Sequence, residues 1–395
     1  MKKLLLFLLL PLLSFGQLEL SDKAEISLIT CGASQAELYS AFGHSAVRVF
    51  DPVQRLDIIF NYGVFNFDQP NFYLNFTRGN LLYTLSVSYF ASFKANYIAE
   101  NRFIHEQILN LDSVQKQKYF DFLQWNAQAE NAEYYYDYFY DNCATRVRDG
   151  LIEALGNEVL SIDSNYADRG KSIRDLCDIY LQQQRWGDLG IDICLGLPMD
   201  KKASTWEYMF LPDYLENAFA QAKLHSADGG KKPLVKSHEL LYTPEYQLVD
   251  QPVLSPFLAF ALILLLTIFI TMWSYAKPIK ARYFDFLLFL VTGFIGLLLV
   301  VLWFFTNHKA AADNYNILIF LPSHLILAIA LLKSRWSGLV RRLLQFIPYY
   351  YALLIALWIW LPQDLHLAFL PLCAAFILRA WHLSYKDPRF KKPHQ

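Results

Sequence analysis

What the sequence lacks narrows it first. It has no charge excess: 35 Lys and Arg stand against 36 Asp and Glu. A net charge of -1 gives no hint of nucleic-acid binding. There is no internal repeat. Cysteine is scarce, with five residues at 31, 143, 177, 194 and 373. None of them stands just after the N-terminal apolar segment, so that segment is not a lipoprotein signal. Basic residues are nearly missing from two C-terminal loops, a gap that bears on orientation. What is abundant is apolar: 55% of residues are hydrophobic, with 25 Tyr, 31 Phe and 9 Trp. The apolar residues pile up after about residue 253.

The opening MKKLLLFLLLPLLSFGQ reads as a secretory signal over 1–16. Lys2 and Lys3 precede an apolar core, Leu4 to Leu13, too short to span a bilayer comfortably. Ser14 and Gly16 are the small residues before a cut at Gln17.

Five apolar stretches of spanning length follow at 253–275, 284–306, 317–332, 343–361 and 367–384. The third holds Pro322 and His324, and its ends are the least defined. Lys277, Lys280 and Arg282 lie between the first two, and Lys333, Arg335, Arg341 and Arg342 between the third and fourth. Lys386, Arg389, Lys391 and Lys392 sit in the tail. The other two loops hold only Lys309. Basic residues stay on the cytoplasmic side, so five spans place the tail inside and residues 17–252 outside. The signal segment implies the same side independently. The expected organisation is an exported domain over 17–226, a linker over 227–252, five spans within 253–385 and a cytoplasmic tail over 386–395. The expected location is a membrane that the chain crosses several times, with its N-terminal domain on the outer side, which in a bacterium would be the inner membrane and the periplasm.

The exported part begins as strand, loop, strand. Glu25–Thr30, Ser45–Phe50 and Leu56–Phe60 read as strands, the second ending at the turn Asp51-Pro52. Alternation puts His44, Ala46 and Arg48 on one face. Asp112-Ser113 caps a helix running to about Gln128, and 171–183 and 213–223 read as further helices. Asn142 is a good N-cap for a helix over Ala144–Leu155, which Gly156 stops. Cys143 then falls where unpaired backbone N–H groups favour a thiolate and are able to hold an oxyanion. Arg146 and Arg148 add positive potential. A thiolate needs a base, for which His44 is the candidate. Asn61 is the first choice to orient that imidazole and Asp57 the second. Taken singly, a buried cysteine or a strand histidine is more often structural.

In an oxidising compartment disulfides form. Pairing of Cys177 with Cys194, and of Cys31 with Cys143, stays open. Cys31 as nucleophile or as a packed thiol stays open too, although only Cys143 has the capped helix start. The runs Tyr134–Tyr140 and Phe210–Leu215 suit either a core or a membrane-facing lip.

The segment NCATRVRD resembles the Asn-Cys motif of lecithin:retinol acyltransferase-like proteins. These are permuted relatives of papain-like NlpC-type enzymes in which the His strand precedes the Cys helix, the order of His44 and Cys143 here. More closely, LITCGASQAELYSAFGHSAVRVFDP, FNYGVFNF, YDNCATRVRD, WGDLGIDICLGLPMD and FLPDYL resemble the Lnb N-terminal periplasmic domain family. The likeness runs through the exported domain and into TNHKAAADNYNIL between the second and third spans. It implies an α+β exported domain, permuted papain-like with a small antiparallel sheet and helices, fused to a five-helix transmembrane domain.

The activity implied by the resemblance is thiol-dependent lipoprotein N-acylation. A membrane phospholipid would be the acyl donor and a diacylated lipoprotein the acceptor, with no cofactor and no metal. Cys143 and His44 match the family's nucleophile and base, and Asn61 is the expected third member. Asn142, Arg48, Arg146, Tyr62, His308 and Asn314 are the expected substrate-binding residues. Two rival readings are a cell-wall cysteine peptidase or amidase, and a non-enzymatic lipid- or protein-binding module closed by a Cys31–Cys143 disulfide.

Overall fold

The computed structural model describes residues 18–65, 68–157, 159–225, 229–245, 254–275, 281–332 and 338–385. The expected signal segment 1–16, the tail 386–395 and Lys277, Lys280, Lys333 and Arg335 lie outside these residues. In chain order the exported part runs β1 (Glu25–Cys31), β2 (His44–Asp51), β3 (Leu56–Val64), α1 (Phe72–Arg78), β4 (Leu82–Tyr89) and α2 (Phe90–Ala99). Next come β5 (Ile104–Leu109), α3 (Ser113–Asn126), β6 (Glu133–Tyr135), α4 (Cys143–Leu155), β7 (Leu160–Ser161), α5 (Ile173–Leu181) and α6 (Arg185–Cys194). It closes with α7 (Thr205–Tyr208), α8 (Pro212–Gln221), β8 (Lys223–His225), β9 (Lys231–Pro233) and β10 (Val235–Tyr242).

Seven strands form one antiparallel sheet in the order β10-β5-β1-β2-β3-β4-β6. The sheet is larger than expected. Its outer strand β10 lies inside 227–252, the stretch expected to be a linker. That stretch is rich in Lys and Pro, yet Val235–Tyr242 still pairs with β5 through two register irregularities. Exposed charged residues suit an outermost strand.

Alternation sorts the two faces. Ile26, Leu28, Val47, Val49, Phe60 and Tyr62 join the main core, which includes α3, α4 and α8. Ile29, Cys31, Ala46, Ile59 and Ile104 point the other way and are covered by Phe90 and Phe93 of α2. Helix α3 begins in a capping box: the Asp112 carboxylate accepts from Gln115 N, and Gln115 Oε1 accepts from Asp112 N. The stretch Phe210–Leu215 is core, with Leu211 and Leu215 fully buried.

The C-terminal part holds α9 (Pro256–Ser274), α10 (Arg282–Phe305), α11 (Ser323–Leu331), α12 (Gly338–Ala356) and α13 (Phe369–Tyr385). Among the described residues, α9 and α10 are each long and apolar enough to cross a membrane. Residues 309–318 and α11 are together long and apolar enough for a third span if they count as one, but they are bent by 46° at a break that holds Pro322. Helix α12 contains Arg341, Arg342 and Pro348, and α13 has 17 residues, so length and composition alone do not make them spans. Inside this bundle Arg379 of α13 pairs with Asp285 of α10, both fully buried. Its Nη1 also donates to Thr271 and Ser274 of α9, each at 3.2 Å. One buried cation thus ties three helices together, with its partners supplying the hydrogen bonds a desolvated charge needs.

Candidate active site

Asn142 decides the geometry of the helix that begins at Cys143. Its amide oxygen accepts from Ala144 N at 2.9 Å and Thr145 N at 3.0 Å. Its amide nitrogen donates to Tyr138 O and Phe210 O, at 2.9 and 2.8 Å. Every polar atom of that side chain is therefore engaged by backbone. Asn142 positions the helix start and is not free to bind substrate, contrary to the sequence-based expectation.

Cys143 is buried at this helix start, beside the mouth of β2. His44 Nε2 lies 2.6 Å from Asn61 Oδ1. The amide oxygen only accepts, so Nε2 carries the proton and Nδ1 is left with the lone pair that serves Cys143. Burial penalises the Cys143 thiolate. The charge of His44, its hydrogen bond, and the N–H groups of Ser45 and Ala144 outweigh that penalty and hold the thiol below its ordinary range. The same partnership acts on His44: burial lowers its pKa, but Cys143 and Asn61 together raise it. Tyr97 stacks on the imidazole with ring centroids 6.1 Å apart, and Phe93 closes the other approach at 6.4 Å. The ring is thus packed as well as hydrogen-bonded.

Gly63 makes the approach to the thiol possible. It has a φ of +85°, open to glycine and costly for other residues. A Cβ there would meet the Tyr136 ring at 3.2 Å and Cys143 Cβ at 3.7 Å. Beyond Tyr136 opens a cleft of about 810 Å³, lined by Tyr62, Tyr136, Tyr138, Arg146, His308 and Lys309 among others. Its walls come from both parts of the chain: the aromatic run of the exported domain and the loop after α10. The run is neither plain core nor lip. Tyr134 is buried, Tyr136 stacks on Tyr83 at 4.2 Å, and the rest faces the cleft.

The remaining expected residues divide. Arg146 and Tyr62 do line the cleft, but Arg146 is paired with Asp141 and lies 4.0 Å over the Tyr134 ring, while the buried Tyr62 hydroxyl donates to Asn126 at 2.7 Å. Arg48 is removed from the site. It bridges Asp57 and Glu106 at 2.8 and 3.1 Å and stacks on Phe90, so neither Arg48 nor Asp57 is available to the thiol or to His44. Arg148 is likewise occupied by Asp149, Trp206 O and the Trp206 ring. All five cysteines are free. The pairing weighed for Cys177 with Cys194 is absent: Cys177 packs in the core, and Cys194 ends α6 against the loop after α10. Cys31 faces His44 across the β1–β2 ladder as a free, buried thiol. Burial pushes its pKa up, which makes it a poor nucleophile beside Cys143.

The exported domain is seated on the helical part by backbone-directed hydrogen bonds. Asn314 Nδ2 donates to Ile193 O and Cys194 O at 2.8 and 3.2 Å, and Asn316 Nδ2 donates to Asp192 O at 2.7 Å. Gln363 Nε2 donates to Leu195 O at 3.0 Å. Gly196 N donates to Ala310 O, and a Cβ on Gly196 would sit 1.8 Å from Ala312 O. On the other side of the cleft, His308 Nε2 lies 3.1 Å from both Phe76 O and Thr77 O at the end of α1. Asn314, expected to bind substrate, is instead a buried docking residue. The sequence stretch WGDLGIDICLGLPMD is the complementary half of this seat. Nothing local in the sequence marks that role, because its partners lie more than a hundred residues away.

Residues 19–168 match the family model described as the Lnb N-terminal periplasmic domain, and residues 249–387 match the Lnb transmembrane domain. No curated protein and no solved structure matches the chain significantly.

Proposed function

Because the chain belongs to the Lnb family, joining that family's periplasmic domain to its transmembrane domain, we propose that it is a membrane-bound lipoprotein N-acyltransferase working through a Cys143 thioester. The observation that carries this reading is the cleft itself. It lies beyond Tyr136, the ring that neighbours Cys143 at Gly63, and is walled partly by the membrane part's outer loop, while Cys143 and His44 themselves lie behind its lining. A lipid ester and a lipoprotein amine would both arrive from that side. Helix α1, with Tyr73, Leu74 and Phe76 exposed and packed near α10, supplies an apolar rim suited to a membrane interface.

The mechanism starts from the Cys143 thiolate and the His44 imidazolium. The sulfur attacks the carbonyl carbon of a fatty-acyl ester. The oxyanion draws on the N–H of Ser45, which faces the sulfur, and on the positive end of the helix that Asn142 caps. The carbon–oxygen ester bond then breaks, and His44 gives its proton to the departing alcohol. A thioester and a neutral imidazole remain. The α-amine of a diacylglyceryl-cysteine attacks the thioester carbon, and His44 Nδ1 takes the amine proton. The carbon–sulfur bond breaks, an amide is released, and the thiolate–imidazolium pair is restored. Asn61 keeps Nδ1 aimed at the sulfur throughout. The sheltered cleft limits water, so transfer outruns hydrolysis.

In this reading all five C-terminal helices span the inner membrane with the C-terminus in the cytoplasm, and the His44-then-Cys143 order is that of a permuted papain-like fold. A peptidase acting on cell-wall peptide has no need of an active-site wall built from the membrane part. The test is mass spectrometry of a lipoprotein N-terminus in cells carrying Cys143→Ala. Loss of the N-linked acyl chain supports the proposal, and an unchanged triacylated product overturns it.

A further inference from the structure

Away from the cleft, at the outer strands of the sheet, three side chains from three elements converge: His105 of β5, Glu216 of α8 and His238 of β10. Glu216 Oε1 lies 2.9 Å from His105 Nδ1 and 2.9 Å from His238 Nε2. The three ligand atoms all lie within 4.8 Å of one another. We propose that His105, Glu216 and His238 bind a divalent cation of the zinc class, which fastens the sheet's outer strand to α8.

The donor set is two imidazoles and one carboxylate, which suits zinc and excludes the oxygen-only preferences of calcium and magnesium. Zinc bonds of about 2.0–2.2 Å in a tetrahedron set neighbouring ligand atoms about 3.3 Å apart. Two sides of the observed triangle are 2.9 Å and the third is within 4.8 Å, distances that bracket that spacing. Burial strengthens the argument. Glu216 is 7% exposed, and among the described residues its ion-pair partners are these two imidazoles. A buried carboxylate needs close polar or cationic partners, and a dication held between it and the two imidazoles would be one.

The surroundings are built for order. Phe103 stacks on the His105 ring at 4.2 Å. Gln107, paired with His238 in the ladder, donates to Glu216 O at 3.0 Å, while among the described residues no donor reaches its own buried Oε1. One face of the strands therefore carries both imidazoles and the residue that seats α8. The fourth position would be water or the second carboxylate oxygen, on the side where His238 is exposed.

The cation would take no part in acyl transfer. Its effect would reach the active site through α8, which packs on α4, and whose Pro212 abuts Gly43 just before His44. The site does not rest on the proposed activity, and its tests read metal, not turnover.

Full-length protein in detergent would be stripped with chelator and titrated with Zn²⁺, then with Co²⁺ as a spectroscopic probe. The expected result is one bound equivalent by elemental analysis, intense visible cobalt bands of four-coordinate geometry, and a higher Tm with zinc. His238→Ala removes a half-exposed side chain and should fold. It should weaken binding about tenfold or more and abolish the cobalt bands, and Glu216→Gln should do the same. The other cluster of ligand-type residues among the described residues, Asp188, Asp192 and His366, is tested by His366→Ala, which should bind as the unaltered protein does. The proposal is overturned if the unaltered protein holds no zinc at micromolar concentration, or if His366→Ala loses the metal while His238→Ala keeps it.

Discussion

Asn61 Oδ1 sits 2.6 Å from His44 Nε2, so a single amide on the neighbouring strand sets which imidazole nitrogen is basic. The β2–β3 register places Phe60 opposite Val47, and Asn61 therefore shares a face with His44 near the strand end. Replacing Asn61 with Ala should free the ring to rotate and to change tautomer. Acyl transfer should fall about tenfold or more in kcat with KM nearly constant, because a positioned base contributes about 10² to 10⁴ in rate and only part of that depends on Asn61. An Asn61→Ala enzyme with unaltered kcat would remove Asn61 from the mechanism.

The paired shifts of Cys143 and His44 fix a pH window. Cys143 is held low, so its thiolate is present above that depressed value and is lost as pH falls through it. His44 is held high, so the imidazolium is present below that raised value and is lost as pH rises through it. The reactive pair, and the stability it contributes, exist between the two. Alkylation of Cys143 by iodoacetamide should therefore begin below the ordinary thiol range. His44→Ala should move its pH midpoint up toward or past about 8.5, the value of a free thiol. Identical profiles for the two proteins would refute the pairing.

Gly63→Ala tests the narrow approach. The φ of +85° and the 3.2 Å contact with Tyr136 both oppose a Cβ. The strain should cost about 1–2 kcal/mol of stability and push Tyr136 toward the cleft. Calorimetry in detergent should show a lower Tm, and transfer to the lipopeptide should slow more than alkylation of Cys143 by a small reagent. Equal slowing of both would place the damage at the thiol itself.

Gly196→Val tests the seat between the two parts. A Cβ there would collide with the Ala312 carbonyl. Hydrogen exchange should rise in residues 310–316, and acyl transfer should drop at least tenfold, the scale of a misplaced reacting geometry. The Cys143 alkylation profile should stay as it is. Retained transfer despite a loosened seat would show that the outer loop is dispensable.

Arg379→Met tests the bundle's internal pair. It removes the guanidinium that pairs with the fully buried Asp285. The expected loss is about 3–5 kcal/mol, read as a fall in detergent Tm, and Arg379→Met combined with Asp285→Leu should recover much of it. A single variant as stable as the parent would mean that the pair is not what ties α9, α10 and α13.

Local chemistry determined much of this protein. Alternation along β2 fixed the face of His44, Asn142 fixed the start of the Cys143 helix, and Gly156 fixed its end, because strand parity and capping depend on neighbours a few residues apart. The concentration of apolar residues after 253 separated a membrane part from an exported one. Tertiary structure decided what depends on partners far away in sequence. Arg48, Arg148, Asn142 and Asn314 have the chemistry of binding residues, but each has polar atoms taken by other parts of the fold, Arg48 by Glu106, Arg148 by Trp206 O, Asn142 by Phe210 O and Asn314 by Ile193 O, and composition does not show which groups are already paired. Val235–Tyr242 has the composition of a linker and becomes a strand because β5 offers an open ladder beside it. The cleft takes one wall from the loop at 307–310 and another from Tyr136 and Arg146, residues that only the tertiary fold brings to one space. The meeting of His105, Glu216 and His238 likewise arises from sheet order and helix packing, since no short-range spacing brings a strand, a helix and the sheet's last strand to one point.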